Sequence, residues 1–191
     1  MQTVPPLQNH HPIRPEFPVA PNLLEQQFIA QRPDAVWHVD ITCIATAEGG
    51  LYLAGVKDQC TCEIVGYAMS ARMTRELAIT ALNRAIRHRR PAPGLIHHPD
   101  RGSPYCAILQ ENGLVVSMPG KGNGYDNAPI ESFWGSLKNG MVHHQRFETR
   151  AQAESAIREY IGIFCNRQRR HSRTGDLAPA VFAPSFTRLA A

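Results

Sequence analysis

The sequence predicts an α/β domain on a mixed five-stranded sheet, three strands antiparallel and then two parallel, flanked by helices. Three observations carry this. Residues 36–69 hold three short runs rich in β-branched and aromatic residues, separated by tight turns. Beyond residue 74, apolar stripes at three- and four-residue steps alternate with short apolar runs, the rhythm of helices alternating with buried strands. Finally, 191 residues at 43% apolar and 19% charged suffice for one real core and hardly for two.

The elements follow in order. Seven of the fifteen prolines fall within the first 33 residues, which rules out a regular helix or central strand there. Residues 1–33 are therefore read as an extended arm, with at most a short helical turn around Asn22 to Ala30. The core spans 34–174. Val36–Ile44, Leu51–Val56 and Ile64–Met69 are the three strands of a meander, the first two joined by a Glu48-Gly49-Gly50 turn. Thr74 is placed to cap a helix that ends before Pro91, with Ala78, Ala81, Leu82, Ala85 and Ile86 on one face. Leu95–His97 is a short buried strand. Ser103, Pro104 and Gly113 bracket a short helix, and Leu114–Val116 is the fifth strand. A loop follows in which Gly120, Gly122 and Gly124 alternate with Lys121, Asn123 and Tyr125. Asp126 is placed to cap the next helix, whose stripe is Ile130, Phe133, Trp134, Leu137 and Met141. Thr149 and Gln152 form a capping box opening a last long helix, which runs into the basic stretch Asn166–Arg173. Residues 175–191, with Pro179 and Pro184, are read as a loop-like tail.

Three carboxylates stand out. Asp40 lies mid-strand, where Asp is rare and a buried charge needs a partner or a metal. Asp100 follows the fourth strand, where α/β sheets place chemistry, although a plain turn Asp would look the same. Glu131 shares a helix face with Asn127, Gly135 and Lys138; a solvated surface Glu is the plain alternative. If strand four lies beside strand one, the three converge and repel, a penalty that hard divalent cations remove. Two such ions clamp the attacking and leaving oxygens of an in-line displacement at phosphorus.

Charge and composition narrow the setting. Residues 132–191 carry nine Lys/Arg against four Asp/Glu, whereas the rest is close to neutral; a basic C-terminal third suits a polyanion such as nucleic acid. No long apolar window and no signal-peptide core appear, so no membrane association is expected. Five scattered cysteines argue for a reducing cytoplasm. The histidine pairs His97-His98 and His143-His144 and the lone Cys60-Thr-Cys62 lack zinc-site spacing.

The segments WHVDIT, GLYLAGVKD, IVGYAMS, HHPDRGS, SMPGKGNGYDNAPIESFWGSLKN, RFETR and CNRQRRHS together resemble the catalytic core of insertion-sequence transposases of the IS-three family, over about Val36 to Ala183. That family belongs to the DDE transposases and retroviral-type integrases, so the resemblance implies an RNase H-like fold. It places Asp40, Asp100 and Glu131 at the catalytic, metal-holding positions for two Mg²⁺ or Mn²⁺ ions. Lys138 matches a position that touches DNA near the reacting phosphate. Lys121, Asn123 and Asn127 match the loop and helix start along the strand, and Arg167, Arg169 and Arg170 add cations for the backbone.

The implied reaction is metal-dependent cleavage and strand transfer at DNA ends, by a homo-oligomer on bacterial nucleoid DNA. The interval from Asp100 to Glu131 is shorter than the family's usual one by roughly five residues, about 7 Å if the loss is helical. No helix-turn-helix region precedes the core, so a partner reading frame is expected to supply one. Two other outcomes stay open at this stage: a truncated RNase H-like fragment that only binds DNA, and a nuclease of RNase H type that never joins strands.

Overall fold

The computed structural model describes residues 21–24, 29–99, 109, 111–117 and 127–189. The expected short helix over 104–112, the loop around Lys121 and Asn123, and Asp100 itself lie wholly or mostly outside that set. Residues 21–24 and 29–30 of the arm form no helix.

Strands β1 (Val36–Thr46), β2 (Gly49–Asp58) and β3 (Ile64–Ser70) make an antiparallel meander. Strand β4 (Ile96–Pro99) returns parallel to β1, and β5 (Val115–Val116) runs parallel to β4. The order is β3-β2-β1-β4-β5, which is the predicted mixed sheet with β1 at its centre.

Period-two alternation splits the sheet between two cores. Trp37 and Val39 of β1, Ala54 and Val56 of β2 and Val65 of β3 pack against helix α1 (Arg75–Arg89) through Ala78, Ala81, Leu82 and Ala85. Contact there is close: a Cβ on Gly66 would stand 2.5 Å from the carbonyl oxygen of Ala81. Arg89 at the end of α1 bonds Asp34 and Glu63, tying the helix to the chain before β1 and to the start of β3. Thr74 sits at the N-cap position of α1, but its side chain makes no capping bond.

The opposite face belongs to helix α2 (Ala128–Gly140), whose Ile130, Phe133, Trp134 and Leu137 are buried against Ile44, Leu51, Leu53 and Ile64. The predicted stripe is therefore the buried one. The N-cap is Asn127, one residue beyond the expected Asp126, and Pro129 falls in the first turn, where its missing N–H costs little. Helix α3 (Arg150–Glu159) opens on the Thr149–Gln152 capping box and widens into π-type turns over Tyr160–Gln168. The tail is not all loop. Pro179–Leu189 form helix α4, because Pro179 lies in a first turn that tolerates it. The helix continues through the exposed, interior Pro184, and its Phe182 and Phe186 are in edge contact at 5.2 Å. No helix among the described residues is long and apolar enough to cross a membrane.

Candidate active site

The face of β1 that looks at α2 carries His38, Asp40 and Ile44. In register across β2, Asp40 faces Gly55 and His38 faces Lys57. The absent side chain at Gly55 makes room for the Trp134 ring, since a Cβ there would meet it at 2.7 Å. Seated in that gap, Trp134 donates its indole Nε1–H to Asp40 Oδ2 at 2.9 Å, while Asp40 Oδ1 accepts the Ile41 amide at 2.7 Å. Glu131 lies one helical turn before Trp134 on α2 and is exposed. Helix geometry thus brings the Glu131 turn to the same end of the β1–α2 contact as Asp40. Strand β4 ends at Pro99, opposite Val39, the neighbour of Asp40; the next residue is Asp100, outside the described set.

A second tie holds the start of α2. Lys57 is 6% exposed, and its Nζ donates to the carbonyl of Pro129 at 2.7 Å. Burial pushes this ammonium down to about 8. Asn127 is buried as well, and its Oδ1 has no hydrogen-bond partner among the described residues. Of the cations expected along DNA, Arg167 and Arg170 are exposed, whereas Lys138 and Arg169 are half-buried.

Two residues before Asp40 on β1, His38 belongs to a group of buried histidines on β1 and β4. His38 Nε2 meets Gln59 Oε1 at 2.6 Å, His98 Nδ1 meets Ser117 Oγ at 3.1 Å, and the His38 and His98 rings sit edge to face at 5.8 Å. The Ser117 hydroxyl oxygen also accepts the Leu23 amide of the arm. Burial pushes His38 down to about 4 and His97 to about 3. Unfolded, each ring would take a proton near 6.5, so between these limits the unfolded chain binds more protons. This stability is whole above pH 6.5 and drains as pH falls toward 4, by a few kcal/mol per ring at full expression. Asp58 and Glu63, which burial raises, act in the opposite sense. Melting curves at pH 7, 6 and 5 should show a falling midpoint, and His97→Gln should flatten that slope whatever its absolute stability. An unchanged slope would remove His97 from the account.

Sequence reasoning missed Trp134, Lys57 and Gly55. It placed Trp134 in the core, where it lies, but not its bond to Asp40, for which its position three residues after Glu131, on the face turned to a strand with an unexplained Asp, was the available signal. Among the described residues no three His, Cys, Asp or Glu gather as a metal site. The donor chemistry nonetheless fits: Asp40 and Glu131 offer hard carboxylate oxygens from two rigid elements.

Comparison with known proteins places these features. Two models described as integrase core domain match residues 30–123 and 131–183; the first contains Asp40 and Asp100, and the second opens on Glu131. The chain is 58% identical over 180 residues to the insertion element IS600 uncharacterized 31 kDa protein of Shigella sonnei, covering 92% of this chain and 66% of that one. It is 44% identical over 171 residues to transposase InsF for insertion sequence IS3A of Escherichia coli K12, covering 87% and 59% respectively. It therefore spans about three-fifths to two-thirds of the length of these curated relatives. Among solved structures, a chain of the simian T-cell lymphotropic virus intasome matches at a TM-score of 0.65 and 14% identity, over 89% of this chain and 60% of that one. The HTLV-2 integrase catalytic core solved with magnesium matches at 0.58 and 14%, over 80% and 98%. Such identities speak for the fold, which is RNase H-like. With both halves of the core matched and insertion-sequence proteins as near relatives, this chain belongs to the integrase core domain family.

Proposed function

We propose that the chain is the catalytic core of an insertion-sequence transposase, which cuts DNA at the ends of a mobile element and joins the freed 3′-hydroxyl to another phosphodiester. The supporting observation is the Trp134–Asp40 bond, which fixes a sheet carboxylate one helical turn from Glu131. Asp40, Asp100 and Glu131 would hold two Mg²⁺ or Mn²⁺ ions, which supply charge neutralisation at the phosphate and acidify the attacking oxygen.

The chain's own residues do the positioning. Trp134 holds Asp40 in one orientation, and Lys57 anchors the first turn of the helix that carries Glu131. Lys138, two turns beyond Glu131, takes a phosphate beside the reacting one. Lys121, Asn123, Arg167, Arg169 and Arg170 follow the backbone, while the buried Asn127 sets the start of α2 beside His38. In this reading residues 34–174 are the core, 1–33 an arm and 175–191 an appendage. The working form is a homo-oligomer on DNA.

The test is incubation of the full chain with supercoiled plasmid and labelled duplex in Mg²⁺ or Mn²⁺. Metal-dependent nicking and joining is the expected result. Salt-sensitive DNA binding without either would leave a DNA-holding fragment in place of an enzyme. Cleavage of an RNA–DNA hybrid without joining would make it a nuclease of RNase H type.

A further inference from the structure

An open groove of about 860 Å³ runs along α2 on the side next to Glu131. Ser132, the residue after Glu131, lines its mouth; Asn139 stands further along the same helix; Tyr160, Phe164 and Arg169 of the π-type segment form the opposite wall. Its floor is fixed by Tyr160, whose hydroxyl donates to the Ser136 carbonyl at 2.9 Å in the space left by Gly140. Phe164 meets the Tyr160 ring in a tilted contact at 5.0 Å, yet remains 41% exposed. Beside Gly135 no atom of the described residues lies within 4 Å of where a Cβ would be.

The Arg169 end is positive. Arg169 and Arg173 both act on the buried Lys57, whose Nζ is bonded to the Pro129 carbonyl, and on His171, which burial pushes down to about 4 and so leaves neutral. Among the described residues none of Arg167, Arg169, Arg170 and Arg173 is in an ion pair, and no carboxylate lines the groove. Uncompensated cations at one end and an exposed aromatic face along the wall form the pair of features that a single nucleic-acid strand uses, phosphate on the cations and base on the ring. A duplex offers phosphates but hides its base faces. A second copy of this chain would bring the same basic third against itself.

We propose that this groove binds single-stranded DNA, with an unpaired base stacked on Phe164 and the adjoining phosphate at Arg169. The site deepens the transposase reading and rests on it for its ligand: a strand separated from its complement beside Glu131 would leave the carboxylates along this wall. Asn139 is placed to meet the base edge.

The test is fluorescence anisotropy of the full chain with a labelled oligothymidylate and with a blunt duplex of equal length. Phe164→Ala should weaken the single strand about tenfold, the scale of one stacked base, and the duplex less than about twofold. Phe164→Leu, which keeps apolar bulk and hence folding, should show the same loss, and Phe164→Trp should restore binding. Arg169→Gln should weaken the single strand and reduce the slope of log affinity against log salt by about 0.7, one phosphate's worth.

Equal losses on duplex and single strand, or no loss with Phe164→Leu, would overturn the proposal. So would a change in sedimenting mass in place of affinity, which would make the groove a contact between copies. Failure of the transposase reading looks different. Wild-type protein would then neither nick nor join DNA, yet Phe164→Leu would still lose the single strand; active protein indifferent to Phe164 is the converse.

Discussion

Glu131→Gln is expected to silence metal-dependent strand cleavage while leaving the melting temperature within about 2 °C of wild type. Glu131 is exposed on α2, so the amide takes its place at little structural cost. In the proposed reading, what is lost is an anionic oxygen that would hold the metal ions, and removal of one electrostatic stabiliser of a transition state lowers rates by at least about two orders of magnitude. Asp40→Asn should be equally inactive but is not a clean control. Both Asp40 oxygens accept hydrogen bonds, from Ile41 N–H and from Trp134 Nε1–H. An Asn must turn its NH₂ toward one of those donors, at about 1–3 kcal/mol. Plasmid nicking and a thermal melt on both variants separate the two effects. Glu131→Gln protein that still cleaves would remove Glu131 from the chemistry.

The largest stability effect is expected at Gly66. Its hypothetical Cβ lies 2.5 Å from the Ala81 carbonyl oxygen and 2.7 Å from both the Ala85 nitrogen and its Cβ. Two of those three atoms are helix backbone, which no rotamer change can move. Gly66→Ala must therefore lift α1 off β3, at about 3 kcal/mol, and Gly66→Val should cost more. Urea unfolding should show an earlier midpoint with an unchanged slope. A variant as stable as wild type would mean that α1 shifts on the sheet without loss.

Where local chemistry decided the outcome, the sequence was readable. The Thr149–Gln152 box closes as its spacing demands, and Ile130, Phe133, Trp134 and Leu137 point inward as their period requires. The meander followed from alternation and short turns, and Asp40 drew notice because a mid-strand carboxylate must be answered by something. What answers it was not readable. The Trp134–Asp40 bond joins residues 94 apart and exists only because α2 crosses the sheet over Gly55 of β2, the register partner of Asp40. Lys57 looks like an ordinary strand-end cation until Pro129 is laid above it. The tail misled for a local reason: two prolines in eleven residues suggest loop, yet one sits in a permitted first turn and the helix runs on through the other. The widening of α3 into π-type turns has no counterpart in the helical period from which a continuous helix was read.

The position of β1 at the sheet centre also sets an order of assembly. Its antiparallel partner β2 follows two residues behind it, so the meander can zip as soon as that stretch leaves the ribosome. Its parallel partner β4 and the helix bearing Glu131 emerge much later and must close long loops to reach it. The nascent chain therefore carries Asp40 on a formed hairpin well before any opposing acid is docked. The Trp134–Asp40 arrangement is thus completed only when α2 settles onto the finished sheet.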